Sequence, residues 1–312
     1  MKNNLYSRCP EFLKNYFDFL HNVKKRTSST IEGYYNDIIM FLRFLLVLHG
    51  NGSLEVFDSI SILEVPLEWL NELTKDQLDK FVDFVKSRSI KDPKRSLNRK
   101  LVSLHQLYLF LLTEFEDFRN RVPLTYKIPQ VVIDSPKPIK DKQMKKIERW
   151  LQNPVDVTNY RNYYIIFLFV RLGLKLDELH ALNINDYDRA QHTLSIGKGF
   201  HHRVIDLRGE YHDVEKILQE AISLHCGPCE ALFLSNTSCR MHKRRIQQVV
   251  TEFFINQNLA KENYTAKNFR DTFGVNLARA GADIHIIKHF LGVDRNTAAR
   301  YLEAGQINCN KK

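Results

Sequence analysis

The sequence predicts a mostly α-helical chain of 312 residues with a small antiparallel β-sheet (α+β), divided into two domains. Three observations predict it. Apolar residues recur at three- and four-residue steps through most of the chain, the period of helices with one buried face. Two short runs flank a glycine turn between 193 and 207, which reads as a hairpin. Pro123, Pro129, Pro136 and Pro138 interrupt regular structure and mark a boundary. The expected organisation is a helical domain over 1–122, a connector over 123–140 and a second domain over 141–312.

Residues 9–49 read as two helices. Phe12, Tyr16, Phe19 and Leu20 form the first apolar face, and Ile31, Tyr34, Tyr35, Ile38, Phe41, Leu42 and Leu45 the second. The run Thr27-Ser-Ser-Thr30 can cap the second helix, with Glu32 in its first turn, where the dipole favours a carboxylate. A Gly50-Asn-Gly52 turn follows. Leu73-Thr74 starts a third helix carrying Leu78, Phe81, Val82 and Val85, and a fourth begins near Lys94 with Leu97, Leu101, Leu104, Leu107, Tyr108 and Leu111. Lys94, Arg95, Arg99 and Lys100 crowd the start of that fourth helix, where cations oppose the dipole. Phosphate contact and a merely solvated face both account for them.

In the second half a helix is expected over 140–151, then a strongly apolar one through Tyr163–Leu172, ending at Gly173. Leu174–Leu179 opens the next. Thr193–Ile196, Gly197-Lys198-Gly199 and Arg203–Leu207 form the expected hairpin. A further short strand is expected over Ala231–Ser235, then a helix from about Met241 to Asn256, bearing Arg244 and Arg245.

Net charge is +10 and the isoelectric point about 9.3, which favours an anionic partner, most simply nucleic acid. Residues 1–128 hold 19 basic and 16 acidic side chains and the remainder 27 and 20, so most of the excess lies in the second half. No apolar run reaches the ~18 residues of a membrane span. Met1–Leu5 does not read as a secretion signal, and five cysteines, an odd number, suit a reducing cytoplasm. Cys226-Gly-Pro-Cys229 has the sequence of a redox pair, and with Cys239 and His242 it has zinc-ribbon-like spacing. It lacks the βαβ setting of the redox fold, and neutral cysteines in a turn are the expectation, with no metal and no cofactor.

The stretch from Tyr264 to Tyr301 organises the rest. Phe269, Phe273, Leu277, Ile284, Ile287, Phe290 and Leu291 mark short helices, with Gly281 and Gly292 where helices stop. Basic residues Lys267, Arg270, Arg279, Lys288, Arg295 and Arg300 are interleaved, and a late tyrosine beside such charges suggests phosphodiester handling. Here the chain resembles the tyrosine recombinases of the phage integrase and Xer family. That family's His-x-x-Arg pair, Leu-Gly-His and nucleophilic tyrosine fall on Lys267, Arg270, Val293 and Tyr301. Its Gly-Leu-Arg-x-x-Glu-Leu falls on Gly173-Leu174-Lys175-Leu-Asp-Glu178-Leu179, and its Gly-Lys-Gly hairpin on Lys198.

The resemblance implies a two-domain clamp on duplex DNA and attack of a tyrosine oxygen on a phosphate, without metal or nucleotide. It implies DNA contacts from Lys94, Arg95, Arg99, Lys100, Lys175, Lys198, Arg203, Arg244, Arg245, Lys267, Arg270 and Arg295. Three departures argue against cleavage. Lys175 replaces an arginine whose planar fork grips two phosphate oxygens. Val293 can donate nothing. Tyr301 follows Val293 by eight residues where the family has about nine. The expectation is a sequence-specific DNA-binding protein of the bacterial cytoplasm that has lost strand cleavage. It resembles the integrase-like master repressors of SPβ-type temperate Bacillus phages, which control lysogeny. An active, divergent recombinase using Tyr301 is the alternative. Self-association on DNA is left open, although only 11 residues follow Tyr301, fewer than many relatives use to link protomers. A regulatory peptide or protein is likewise left open.

Overall fold

The structure, a computed structural model, describes residues 7–89, 92–131, 134–153 and 159–309, with only the backbone of 200 and 307–309. Residues 1–6, on which the reading of the N-terminus rests, lie outside it. The chain forms two compact units, Met1–Ile133 and Asp134–Lys312. The division falls inside the proline-rich stretch, so 123–140 is not a free connector along its length. Pro123 is buried in a short helix of the first unit, and Ile139 lies in the core of the second.

In the first unit α1 (Glu11–Asn22) and α2 (Ser28–Leu48) are followed by a 3-10 turn over Leu54–Ser59. Then come α3 (Leu67–Asn71), α4 (Lys75–Arg88), α5 (Pro93–Glu114) and α6 (Val122–Thr125). Thr27 caps α2 by accepting from the Thr30 N–H, which starts the helix at Ser28 and places the exposed Glu32 beyond the first turn. Thr74 and Gln77 form a capping box on α4. Tyr16, Phe17, Phe41, Phe81 and Tyr108 fill the centre of this core.

The second unit contains α7 (Asp141–Gln152), α8 (Tyr160–Leu172) and α9 (Leu176–Ala181). A three-stranded antiparallel sheet follows, β1 (Tyr187–Asp188), β2 (Thr193–Ile196) and β3 (Arg203–Asp206), in that order. The hairpin register pairs Leu194 with Ile205 and Ile196 with Arg203. After it come α10 (His212–Ser223), α11 (Lys243–Asn256), α12 (Ala266–Arg279), α13 (Ile284–Leu291) and α14 (Arg295–Cys309). Helix α8 is buried from Tyr163 to Phe169 on every side, which explains its unbroken apolar run.

One expected element is missing. Ala231–Ser235 is not a strand. Its Leu232 N–H donates to Leu182 and its Phe233 carbonyl accepts from Met241, so pairing is divided between two loops and only isolated bridges result. Helix α10 is an element beyond those expected, and Val214, Ile217, Leu218 and Ala221 carry its helical spacing. Among the described residues no helix is long and apolar enough to cross a membrane.

Candidate functional site

The α9 turn builds the first half of the site. Lys175 is its N-cap, and the Lys175 backbone N–H donates to Glu178 Oε2 at 2.8 Å. Glu178 is buried and takes a bidentate pair from Arg203 of β3, both bonds 3.0 Å. Arg270 of α12 approaches the same carboxylate, with Nη1 3.4 Å from Oε2. The Lys175 ammonium is 4.0 Å from it. Burial pushes the Glu178 carboxyl up, but the Arg203 bonds and the two guanidinium charges outweigh this and hold it below its ordinary value. Burial, then the Arg270 charge, lowers the Lys175 ammonium.

Arg270 is itself buried. Nη1 donates to the Gly173 carbonyl at 2.9 Å, and Nη2 donates to the Leu291 carbonyl. Its fork is thus occupied by main-chain oxygens at the end of α8 and the end of α13. The turn after α13 is held from the other side too. His201 Nδ1 lies 2.9 Å from the Gly292 carbonyl oxygen. Gly292 has φ +56°, and a Cβ there would lie 2.8 Å from Arg203 Nη1, so glycine is required twice over.

The second half centres on Asp271. Its Oδ2 accepts from the Lys137 N–H at 2.9 Å and from Lys267 Nζ at 2.7 Å. Its Oδ1 accepts from the Tyr301 hydroxyl at 2.9 Å. Tyr301 is 6% exposed. Burial first, then the Asp271 charge, pushes its phenol well above the ordinary tyrosine value. Helix α14 reaches this position because Gly274 leaves room, since a Cβ there would lie 2.6 Å from Tyr301 Cδ1.

Lys175, Lys267, Arg270 and Tyr301 line one cleft of about 660 Å³, walled by Leu174, Leu176 and Val250. The structure therefore brings four of the six family positions together. Val293 instead packs on the small cluster of Val275, Ile287, Leu291, Ala298 and Tyr301, and Lys198 stands exposed on the hairpin turn.

Several expected phosphate contacts need correction. Arg203 is 3% exposed and is committed to Glu178. Lys100 is 6% exposed, with Nζ 3.1 Å from Ser96 Oγ and 3.8 Å from the buried Asp37. Arg99 reaches Asp37 at 2.7 Å with an exposed side chain. Arg270, buried among carbonyls, faces the cleft but not open solvent. Lys94, Arg95, Arg244 and Arg295 are exposed, and Arg245 is half-buried and pairs with Glu252 at 2.7 Å. The principal partner of Glu178 is Arg203, which lies 25 positions away in sequence and leaves no local signal. Asp271 had a signal, since it sits four residues after Lys267 on one helix face. Among the described residues no three His, Cys, Asp or Glu side chains converge as a metal group, and His242 caps α11.

A helical unit with a small hairpin sheet, a buried arginine and a late tyrosine around one cleft defines the class. Residues 137–306 match the model of the phage integrase family, and the chain belongs to that family. A tyrosine recombinase XerC of Caldanaerobacter subterraneus subsp. tengcongensis is 29% identical over 296 residues, covering 91% of this chain and 80% of the relative. A XerC of Listeria monocytogenes serovar 1/2a is 22% identical, covering 89% and 88%. The XerH site-specific recombinase, solved bound to a palindromic difH substrate in a post-cleavage complex, is similar in fold. It has a TM-score of 0.65 and 16% identity, covering 99% of this chain and 94% of that one.

Proposed function

We propose that the chain binds specific duplex DNA sequences without cutting them and acts as a transcriptional repressor by occupying its site. Net charge +10 and the exposed cations Lys94, Arg95, Lys198, Arg244 and Arg295 support a polyanionic partner. The fold neighbours bound to duplex substrates support DNA in particular.

The observation that carries the loss of cleavage is the Tyr301–Asp271 bond. A nucleophilic phenol must shed its proton as it attacks. This one is buried, and it donates to a carboxylate whose charge opposes phenolate. Lys175 offers a point charge where two oxygens of a transition state need a fork. A site that grips DNA and leaves it intact suits control of lysogeny in a phage or prophage. A second reading, recombination through Tyr301, is favoured by the cleft that Tyr301 shares with Lys175, Lys267 and Arg270.

The test is a pair of reporters behind a site selected from random duplexes, one reading repression and one reading inversion or excision. Wild type and Tyr301→Phe should repress equally, and Arg244→Glu should not. Rearrangement of the sites by wild type would favour the second reading.

A further inference from the structure

We propose that the segment 134–139 and α14 form one latch over α12, seated together and released together. The latch ties the Tyr301 hydroxyl to the place where the chain enters the second unit, whose first residue is Asp134. It concerns the packing around Tyr301 and holds whether or not the chain cuts DNA.

Two consecutive residues of α14 hold the segment. Arg300 Nη2 donates to the Asp134 carbonyl. The Tyr301 hydroxyl donates to Asp271 Oδ1, and Asp271 Oδ2 accepts from the Lys137 N–H. Helix α12 grips the same segment directly. Asn268 Nδ2 donates to the Lys137 carbonyl at 2.9 Å, and the Ile139 N–H donates to Thr272 Oγ1 at 2.8 Å. Pro136 and Pro138 fix φ on either side of Lys137, so the segment loses little conformational entropy when it seats.

Asp271 is the reason for joint release. Its side chain is 1% exposed. Lifting either element alone leaves a carboxylate that the other still covers, short of one donor, and a buried charge that loses a donor is costly. Lifting both admits water, which replaces both donors at once. Opening the two together therefore costs less than the sum of two separate openings, and that is the condition for one cooperative unit.

The experiment is residue-resolved amide hydrogen exchange on the full chain. It follows Ile139 in the segment, Ala298 in α14, whose N–H donates to the Asp294 carbonyl, and Phe169 in the buried α8. In wild type, Ile139 and Ala298 should report the same opening equilibrium, one more frequent than that of Phe169. Tyr301→Phe should speed both by the same factor, at least about tenfold, and leave Phe169 unchanged. A purely local effect does not predict this, because Ile139 bonds to Thr272 and not to Asp271. Lys137→Pro removes one N–H from the segment without touching α14, and Ala298 should again speed up with Ile139. The wild-type comparison stands even if a variant folds poorly. Different opening equilibria for Ile139 and Ala298, or a speed-up confined to the element that carries the substitution, would overturn the latch. So would a speed-up shared equally by Phe169, which would make the opening global.

Discussion

The Tyr301 hydroxyl donates to Asp271 Oδ1 at 2.9 Å inside the packed face between α12 and α14. The residue at the family's nucleophile position thus serves as a structural hydrogen-bond donor in this chain. Tyr301→Phe should cost about 1.5–3 kcal/mol in urea unfolding, the range for a bond to a charged group. Asp271→Ala should cost more, because it leaves both the buried Tyr301 hydroxyl and the Lys137 N–H without their acceptor, each about 1–3 kcal/mol, while the exposed Lys267 ammonium stays hydrated. Equal costs for the two would show that the hydroxyl, not the carboxylate, is the centre of the cluster.

The Glu178–Arg203 pair should govern acid stability. The folded carboxyl lies below its ordinary value, so its contribution is present above the unfolded value and is lost as pH falls through the folded one. Glu178→Gln should destabilise by about 3–5 kcal/mol at neutral pH, leaving two buried guanidinium groups under-compensated. The gap between wild type and variant should narrow as pH drops below about 4.3. Thermal melts across that range would show it, and a gap independent of pH would remove Glu178 as the titrating group.

Close approach of α12 and α14 depends on Gly274. Gly274→Ala should force Tyr301 aside and cost about 1–3 kcal/mol by overpacking. Tyr301→Ala in the same background should recover part of the loss by making room. If the double variant is as unstable as the sum of the two singles, the clash is not with the ring.

Much of this was legible in the sequence. The helical periods placed α1, α2, α4, α5, α8, α12 and α13, because each buries one face or all of itself and the spacing records it. Gly292 announced its turn. The four cleft residues Lys175, Lys267, Arg270 and Tyr301 followed from the family layout. What stayed hidden were the partners. Arg203 and Lys100 read as surface cations because charge alone does not show that a buried Glu178 or Asp37 waits for them. The segment over 231–235 read as a strand because its apolar run says nothing about whether a neighbour offers a ladder.

The measurement closest to the central claim is covalent trapping on DNA. A nicked suicide duplex carrying the mapped site is incubated with wild type, Lys175→Arg and Tyr301→Phe, and the products are run on a denaturing gel. Wild type should bind the duplex and give no DNA-linked protein band, and Lys175→Arg should give none either, since Val293 and the Tyr301–Asp271 bond are unchanged. A band present in wild type and absent in Tyr301→Phe would show that Tyr301 leaves Asp271 to attack the phosphate, contradicting the loss of cleavage.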